Sequence, residues 1–242
     1  MTGVAARRGA GLVASALARA EEFLLDAPEE SETQALAPEP ALPPLVVAVV
    51  PLARGCGGTT VARGLAATLA LRAAPGAALV CGPTGSVALS LGSPAAARLA
   101  RAVGEQIDEA ARVSGRLCLV DADPRIARAQ ALRREAPLVV DVSYGSDAGE
   151  ATSLADAIVL VAGPETEPSL AAVVGASLAR SGPAPFVVVN RADDEGPWAE
   201  HEALRLAEAR LASRIALAGR EPPGALGVAL RDLADACAEA AA

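Results

Sequence analysis

Short runs of Val, Leu and Ile alternate with longer Ala/Leu/Arg segments along most of this chain, and that alternation leaves few folds open. The apolar runs are Leu45–Pro51, Ala77–Gly82, Arg116–Val120, Pro137–Val142, Ala157–Ala162, Pro185–Asn190 and, more weakly, Arg214–Ala218. Helical spacing predicts helices over 60–73, 94–113, 125–135, 168–181 and 197–213, with a last one over about 225–240. Apolar runs without in–out alternation suit strands covered on both faces. Strands separated by helices predict a doubly wound, mostly parallel α/β sheet of about seven strands with helices on both faces. In such sheets ligands bind outside the carboxyl ends of the strands.

That pattern covers residues 45–242. Upstream, residues 27–44 hold five Pro and four Glu with little that can pack, which predicts an extended acidic linker. Within residues 1–26, the helical spacing of Val13, Leu17, Ala20 and Leu24 predicts an amphipathic helix over 4–26. Arg7 and Arg8 ahead of a short apolar run also imitate a secretory signal, but Arg19 falls inside the small-x-small cleavage site such a signal needs. The helix reading is preferred, docked on a partner or a membrane or packed on its own domain. No uncharged apolar run reaches the roughly 18–20 residues of a membrane span, so no transmembrane segment is expected.

Charge and chemistry narrow the function. The net charge is −8, all 21 basic residues are Arg, and Phe23, Tyr144, Phe186 and Trp198 are the only aromatics. Nucleic-acid binding calls for clustered cations and aromatic stacking platforms, so it is not expected. The four cysteines show neither metal spacing nor a paired framework, which fits a cytoplasmic location. The single histidine, His201, falls on a charged segment read as a solvated helix, and no Gly-x-Ser-x-Gly elbow is present.

The richest strand end is the first. Pro51-Leu-Ala-Arg-Gly-Cys-Gly-Gly-Thr-Thr60 leaves a strand and enters a helix at once. A glycine-rich turn there converges free N–H groups on an anion, and the helix dipole favours negative charge. The alternative is a tight strand-to-helix turn that holds nothing. Pro137-Leu-Val-Val-Asp141 is a second apolar strand ending in an acid, and Phe186-Val-Val-Val-Asn190 ends in the only Asn of the chain. Asp141 and Asn190 could equally make turns.

In this order the motifs resemble the MinD/ParA-like branch of P-loop ATPases, whose loop reads Gly-Lys-Gly-Gly-Val-Gly-Lys-Thr-Thr. Gly55, Gly57, Thr59 and Thr60 match that loop. Gly58 stands at the main phosphate-gripping lysine, Ala53 at the second lysine that reaches across a dimer, and Leu52 at the opening glycine. The resemblance implies a P-loop NTPase-like fold with ATP or ADP and Mg2+ as ligands. Arg54, Gly55, Cys56, Gly57, Gly58, Thr59 and Thr60 would cradle phosphate, Asn190 would read the adenine edge, and Thr59 with Asp141 would hold the metal. Leu119-Val-Asp-Ala-Asp-Pro124 is similar to the family's Asp-x-Asp-Pro signature, which would make Asp121 or Asp123 the water-orienting carboxylate. It follows the third predicted strand rather than the second, so a helix N-cap is the favoured role there.

A charge-assisted lysine–phosphate contact contributes about 1.5–3 kcal/mol in binding and more in the transition state. Without it, Arg54 or Arg63 can supply some charge for binding, but ordinary hydrolysis is not expected. The expected function is therefore a degenerate, pseudo-ATPase relative that works by positioning or assembly through protein partners, as a homodimer or through residues 1–26. Among relatives the TadZ/CpaE-type pilus-assembly proteins resemble it best. Two alternatives stand beside this reading: a slow Mg-dependent ATPase that uses Arg54 in place of the lysine, and a Rossmann-like cofactor binder.

Overall fold

β1 (Val46–Pro51) is the strand around which the sheet is arranged. Its residues Val46 to Val50 are buried, which requires a neighbouring strand on each edge and a helical layer on each face. The structure, a computed structural model, describes residues 44–82, 113–120, 122–192 and 196–242. The predicted helix over 4–26, nearly all of the linker 27–44, nearly all of the helix over 94–113, and Asp121 lie outside the described residues.

The described elements after β1 are α1 (Gly58–Arg72), β2 (Ala78–Cys81), β3 (Val113–Ser114), β4 (Leu117–Val120), α2 (Pro124–Arg134), β5 (Leu138–Asp141) and α3 (Gly149–Ser153). They continue with β6 (Ala157–Ala162), α4 (Pro168–Leu178), β7 (Phe186–Asn190), β8 (Leu204–Leu206), α5 (Arg210–Leu217) and α6 (Gly224–Ala240). The strand order is β3-β4-β2-β5-β1-β6-β7-β8. Among the described residues seven strands run parallel, and only the two-residue β3 pairs antiparallel, on the outer edge of β4.

Alternation along the strands divides the core in two. Val47, Val49, Val139, Val159 and Val161 face α1, α5 and α6, whereas Val46, Ala48, Val140, Ile158 and Leu160 face Ala127 and Ala131 of α2, Ala171 of α4, and Trp198. The facing helix positions are largely Ala, which lets helix backbones approach the sheet closely with little side-chain volume. α1 is buried from Val61 through Ala70, as a helix walled by both the sheet and other helices must be.

Two parts of the sequence reading are corrected. The seventh parallel strand is β8 at 204–206, inside the segment predicted as a helix over 197–213, and Arg214–Ala218 belongs instead to α5 and its C-cap. Leu204 and Leu206 alternate about Arg205 and pair with Val188 and Asn190 of β7. The Arg205 guanidinium donates to the Trp198 and Ala199 carbonyls at 2.7 and 2.8 Å, so the preceding segment closes as a turn rather than a helix. His201 therefore sits exposed on a turn, in edge-to-face contact with Trp198.

The topology also fixes where a ligand can sit. From β1 the chain crosses over β5 to reach β2, whereas β6, β7 and β8 follow on the other side of β1. The order reverses at β1, so a crevice opens at the carboxyl ends of β1, β5 and β6.

Candidate functional site

The loop between β1 and α1 occupies that crevice. Gly57 is the N-cap of α1 in a left-handed conformation (φ 91°), and no side chain caps the helix. The first N–H groups of a helix have no intrahelical acceptor, so the amides of Gly58, Thr59 and Thr60 are left for another partner. Gly55 is also left-handed (φ 77°), which any other residue resists.

A cleft of about 280 Å³ lies beside the loop. The stretch Ala53–Thr59 with Pro51 forms one wall, and Asp141, Val142, Ser143 and Tyr144 after β5 form the other. The register that places Asp141 opposite Val49 brings that wall up against the loop. Arg54, Gly55, Cys56, Gly57, Gly58, Thr59 and Asp141 are thus brought together, while Thr60 does not line the cleft. A second cleft of about 460 Å³ opens on the other side of the loop. Gly163–Thr166 after β6, Arg191 and Glu208 line it together with Ala53, Arg54 and Cys56.

Asn190 lies behind the loop. Its amide nitrogen donates to the Cys56 carbonyl at 2.9 Å, and the residue is only 8% exposed. The next residue, Arg191, donates from its guanidinium to the Gly55 carbonyl at 2.9 Å. Two consecutive side chains at the end of β7 therefore hold two carbonyls of the loop's backbone. Asp123 is elsewhere: it caps α2, accepting from the Arg125 N–H at 2.8 Å, and lines neither cleft.

Gly58, set by the resemblance at the phosphate-gripping lysine, is tightly packed. Gly58 is buried, and a Cβ built on it would lie 3.1 Å from Cβ of Pro51. Of the two arginines that the sequence offers in exchange, Arg54 is exposed on the rim of both clefts. Arg63 is fully buried and donates to the Leu217 carbonyl of α5 at 3.0 Å. Burial pulls its pKa below the usual guanidinium value, and the Asp141 carboxylate pushes the other way by stabilising the charged form. Arg63 interrupts an otherwise uncharged run between Arg54 and Arg72, and that isolation was its signal in the sequence.

The donor set fits a divalent cation poorly. Thr59 and Asp141 share the cleft, but Asp141 is only 5% exposed and electrostatically coupled to a buried guanidinium. Among the described residues no group of three or more His, Cys, Asp or Glu comes together, and no helix is long and apolar enough to cross a membrane.

No family model and no curated protein sequence matches the chain. Solved structures do. The MinD cell division protein of Aquifex aeolicus superposes with a TM-score of 0.52 at 17% identity, over 79% of this chain and 96% of that one. The MinC:MinD complex from Aquifex aeolicus gives 0.51 at 16% identity, over 79% and 94%. A Borrelia burgdorferi B31 protein described as a plasmid partition protein, solved with AMPPNP, gives 0.51 at 12% identity, over 71% and 90%. This chain has the MinD/ParA-like P-loop fold. At these identities the likeness is one of fold. The β1–α1 turn of this chain carries Gly55, Gly57, Thr59 and Thr60, with Leu52 and Arg54 between them and β1.

Proposed function

We propose that this chain is a non-hydrolysing MinD/ParA-like protein that holds the phosphates of ATP or ADP on the 53–59 loop and acts through protein partners. The observation that supports it best is a backbone cradle with glycine at the lysine position: left-handed Gly55 and Gly57 with an uncapped α1, beside a Gly58 packed against Pro51. Backbone amides and the helix dipole can hold phosphate without a lysine. Stabilising the charge that builds on the leaving oxygen needs a cation aimed at that point, and the loop's own cation, Arg54, stands out on the exposed rim. The second cleft, with Arg191 and Thr166 at its edges, is the natural place for the base and ribose.

In this reading the loop binds and positions, and nucleotide state sets the shape of the surface a partner meets. Residues 1–26 dock on that partner, with 27–44 as the tether and 45–242 as the nucleotide domain. The chain works in the cytoplasm, alone or as a homodimer, in positioning or assembling a larger structure such as a pilus. Calorimetric titration with ADP and ATP tests the binding, and a turnover assay alongside Thr59→Ala tests the rest. The expected result is saturable binding with no Thr59-dependent hydrolysis. Thr59-dependent turnover would favour the slow-ATPase alternative, and the absence of any nucleotide binding would leave only the fold.

A further inference from the structure

The buried arginine beneath the loop carries a consequence for the site's use of metal. Arg63 lies four residues after Thr59, so the two stand one above the other on the same face of α1. Helical side chains lean toward the N-terminus, which directs the Arg63 stem back under the turn that opens the cleft. Asp141 shares the α1-facing side of the sheet with Val139, at the end of a strand that α1 packs across. Both residues are essentially out of water, at 0% and 5% exposure. A carboxylate at that depth needs a compensating positive charge, and α1 delivers one from within the chain.

We infer that Arg63 is a built-in counter-cation for Asp141, standing in for the divalent ion, so that the loop takes up a phosphate-bearing ligand free of metal. The inference rests on the phosphate-binding reading above for its ligand and on Arg63 and Asp141 for its electrostatics. One buried positive and one buried negative group cancel. The attraction left for an anion comes from the loop amides and from Arg54 on the rim. A divalent cation entering the cleft would find Asp141 already opposed by a buried guanidinium that is also anchored to Leu217, and so would meet repulsion where it needs a ligand.

Three measurements on the full chain decide it. ADP binding by calorimetry is expected to be the same within about twofold in EDTA and in excess Mg2+, whereas a metal-bridged site would lose about tenfold or more on chelation. Mn2+, followed by its paramagnetic resonance signal without nucleotide, is expected to stay free with the unaltered protein and to bind Arg63→Met, where the carboxylate is released. Asp141→Asn is expected to lower Tm by on the order of 10 °C, because it strands a buried charge, and Arg63→Met/Asp141→Asn to regain most of that loss.

Mn2+ binding to the unaltered chain that disappears in Asp141→Asn would overturn the inference. So would a double variant no more stable than Asp141→Asn, or a tenfold loss of ADP affinity in EDTA. If ADP does not bind under either condition, the phosphate reading above is what fails. The Mn2+ and stability measurements then judge the Arg63–Asp141 pair without it.

Discussion

Substituting Gly57 tests whether the loop's shape is held from β7. At Gly57 the backbone is left-handed, and a Cβ there would fall 2.0 Å from Nδ2 of Asn190, the atom that donates to the Cys56 carbonyl. Gly57→Ala therefore has two costs. The left-handed conformation disfavours an L-residue by roughly 1–2 kcal/mol. Displacing the Asn190 amide breaks a buried hydrogen bond and leaves its partner unsatisfied, at about 1–3 kcal/mol. The sum is about 2–5 kcal/mol, a large share of the stability of an ordinary domain. Gly55→Ala is the control, because Gly55 is equally left-handed (φ 77°) but a Cβ there would meet nothing within 4 Å. It bears the strain alone, and the entropy that Ala removes from the unfolded chain is common to both variants. Urea unfolding should show Gly57→Ala less stable than Gly55→Ala by at least about 1 kcal/mol, with the m-value unchanged. Adding Asn190→Ala to Gly57→Ala should cost less than the sum of the single changes, because the bond is already gone. Equal stabilities for the two alanine variants would refute the account of Asn190 as the loop's anchor.

Other positions give sharper signs than magnitudes. Gly64→Ala gains helix propensity of about 1 kcal/mol, but its Cβ would press on Cδ1 of Leu230 at 2.6 Å and Cβ of Ala216 at 3.3 Å, an overpacking cost of about 1–3 kcal/mol; net destabilisation is expected, and a rise in Tm would contradict it. The Cys237 thiol is buried in the core and pushed up to about 12 from 9.0, so it stays protonated in the folded state while the unfolded thiol ionises. Stability should then fall by about 1.4 kcal/mol per pH unit above about 9, and Cys237→Ala should lose that component of the slope in denaturant titrations at alkaline pH. Gly58→Lys, which restores the missing cation at the expense of a small shift at Pro51, is expected to tighten ADP binding by about tenfold to a hundredfold in calorimetry; unchanged affinity would mean the loop does not face the phosphates.

The parts of the fold that were legible in the sequence are those set by burial on both faces. β1, β5 and β6 carry no obligatory alternation, so their runs of Val, Leu and Ile stand out whatever lies next to them. β8 is the opposite case. It is three residues long, pairs only with β7 at the sheet's edge, and is partly exposed, so Leu204-Arg205-Leu206 passes for part of a helical repeat. What makes it a strand is Arg205 closing the turn at Trp198 and Ala199, a contact no local period encodes. The site divides in the same way. The loop glycines could be matched to a motif, but the steric reason for Gly57 is an amide that arrives from β7, 134 residues beyond Cys56.

Asp141 shows how far order along a chain can lead. A carboxylate that ends an apolar strand, downstream of a phosphate loop, reads as a metal ligand because nothing local says what opposes it. The sheet supplies that information by setting β5 beside β1, which places Asp141 under the opening turn of α1. Helical arithmetic supplies the remainder: a cation four residues after the loop's Thr59 must share its face, and in a helix buried on every side that cation has nowhere to go but inward. A lone Arg inside the apolar first helix is thus a signal readable without coordinates. Under the counter-cation proposal, its physical meaning is that the strand-end acid it reaches is already neutralised, and the metal that such an acid would otherwise recruit loses its place.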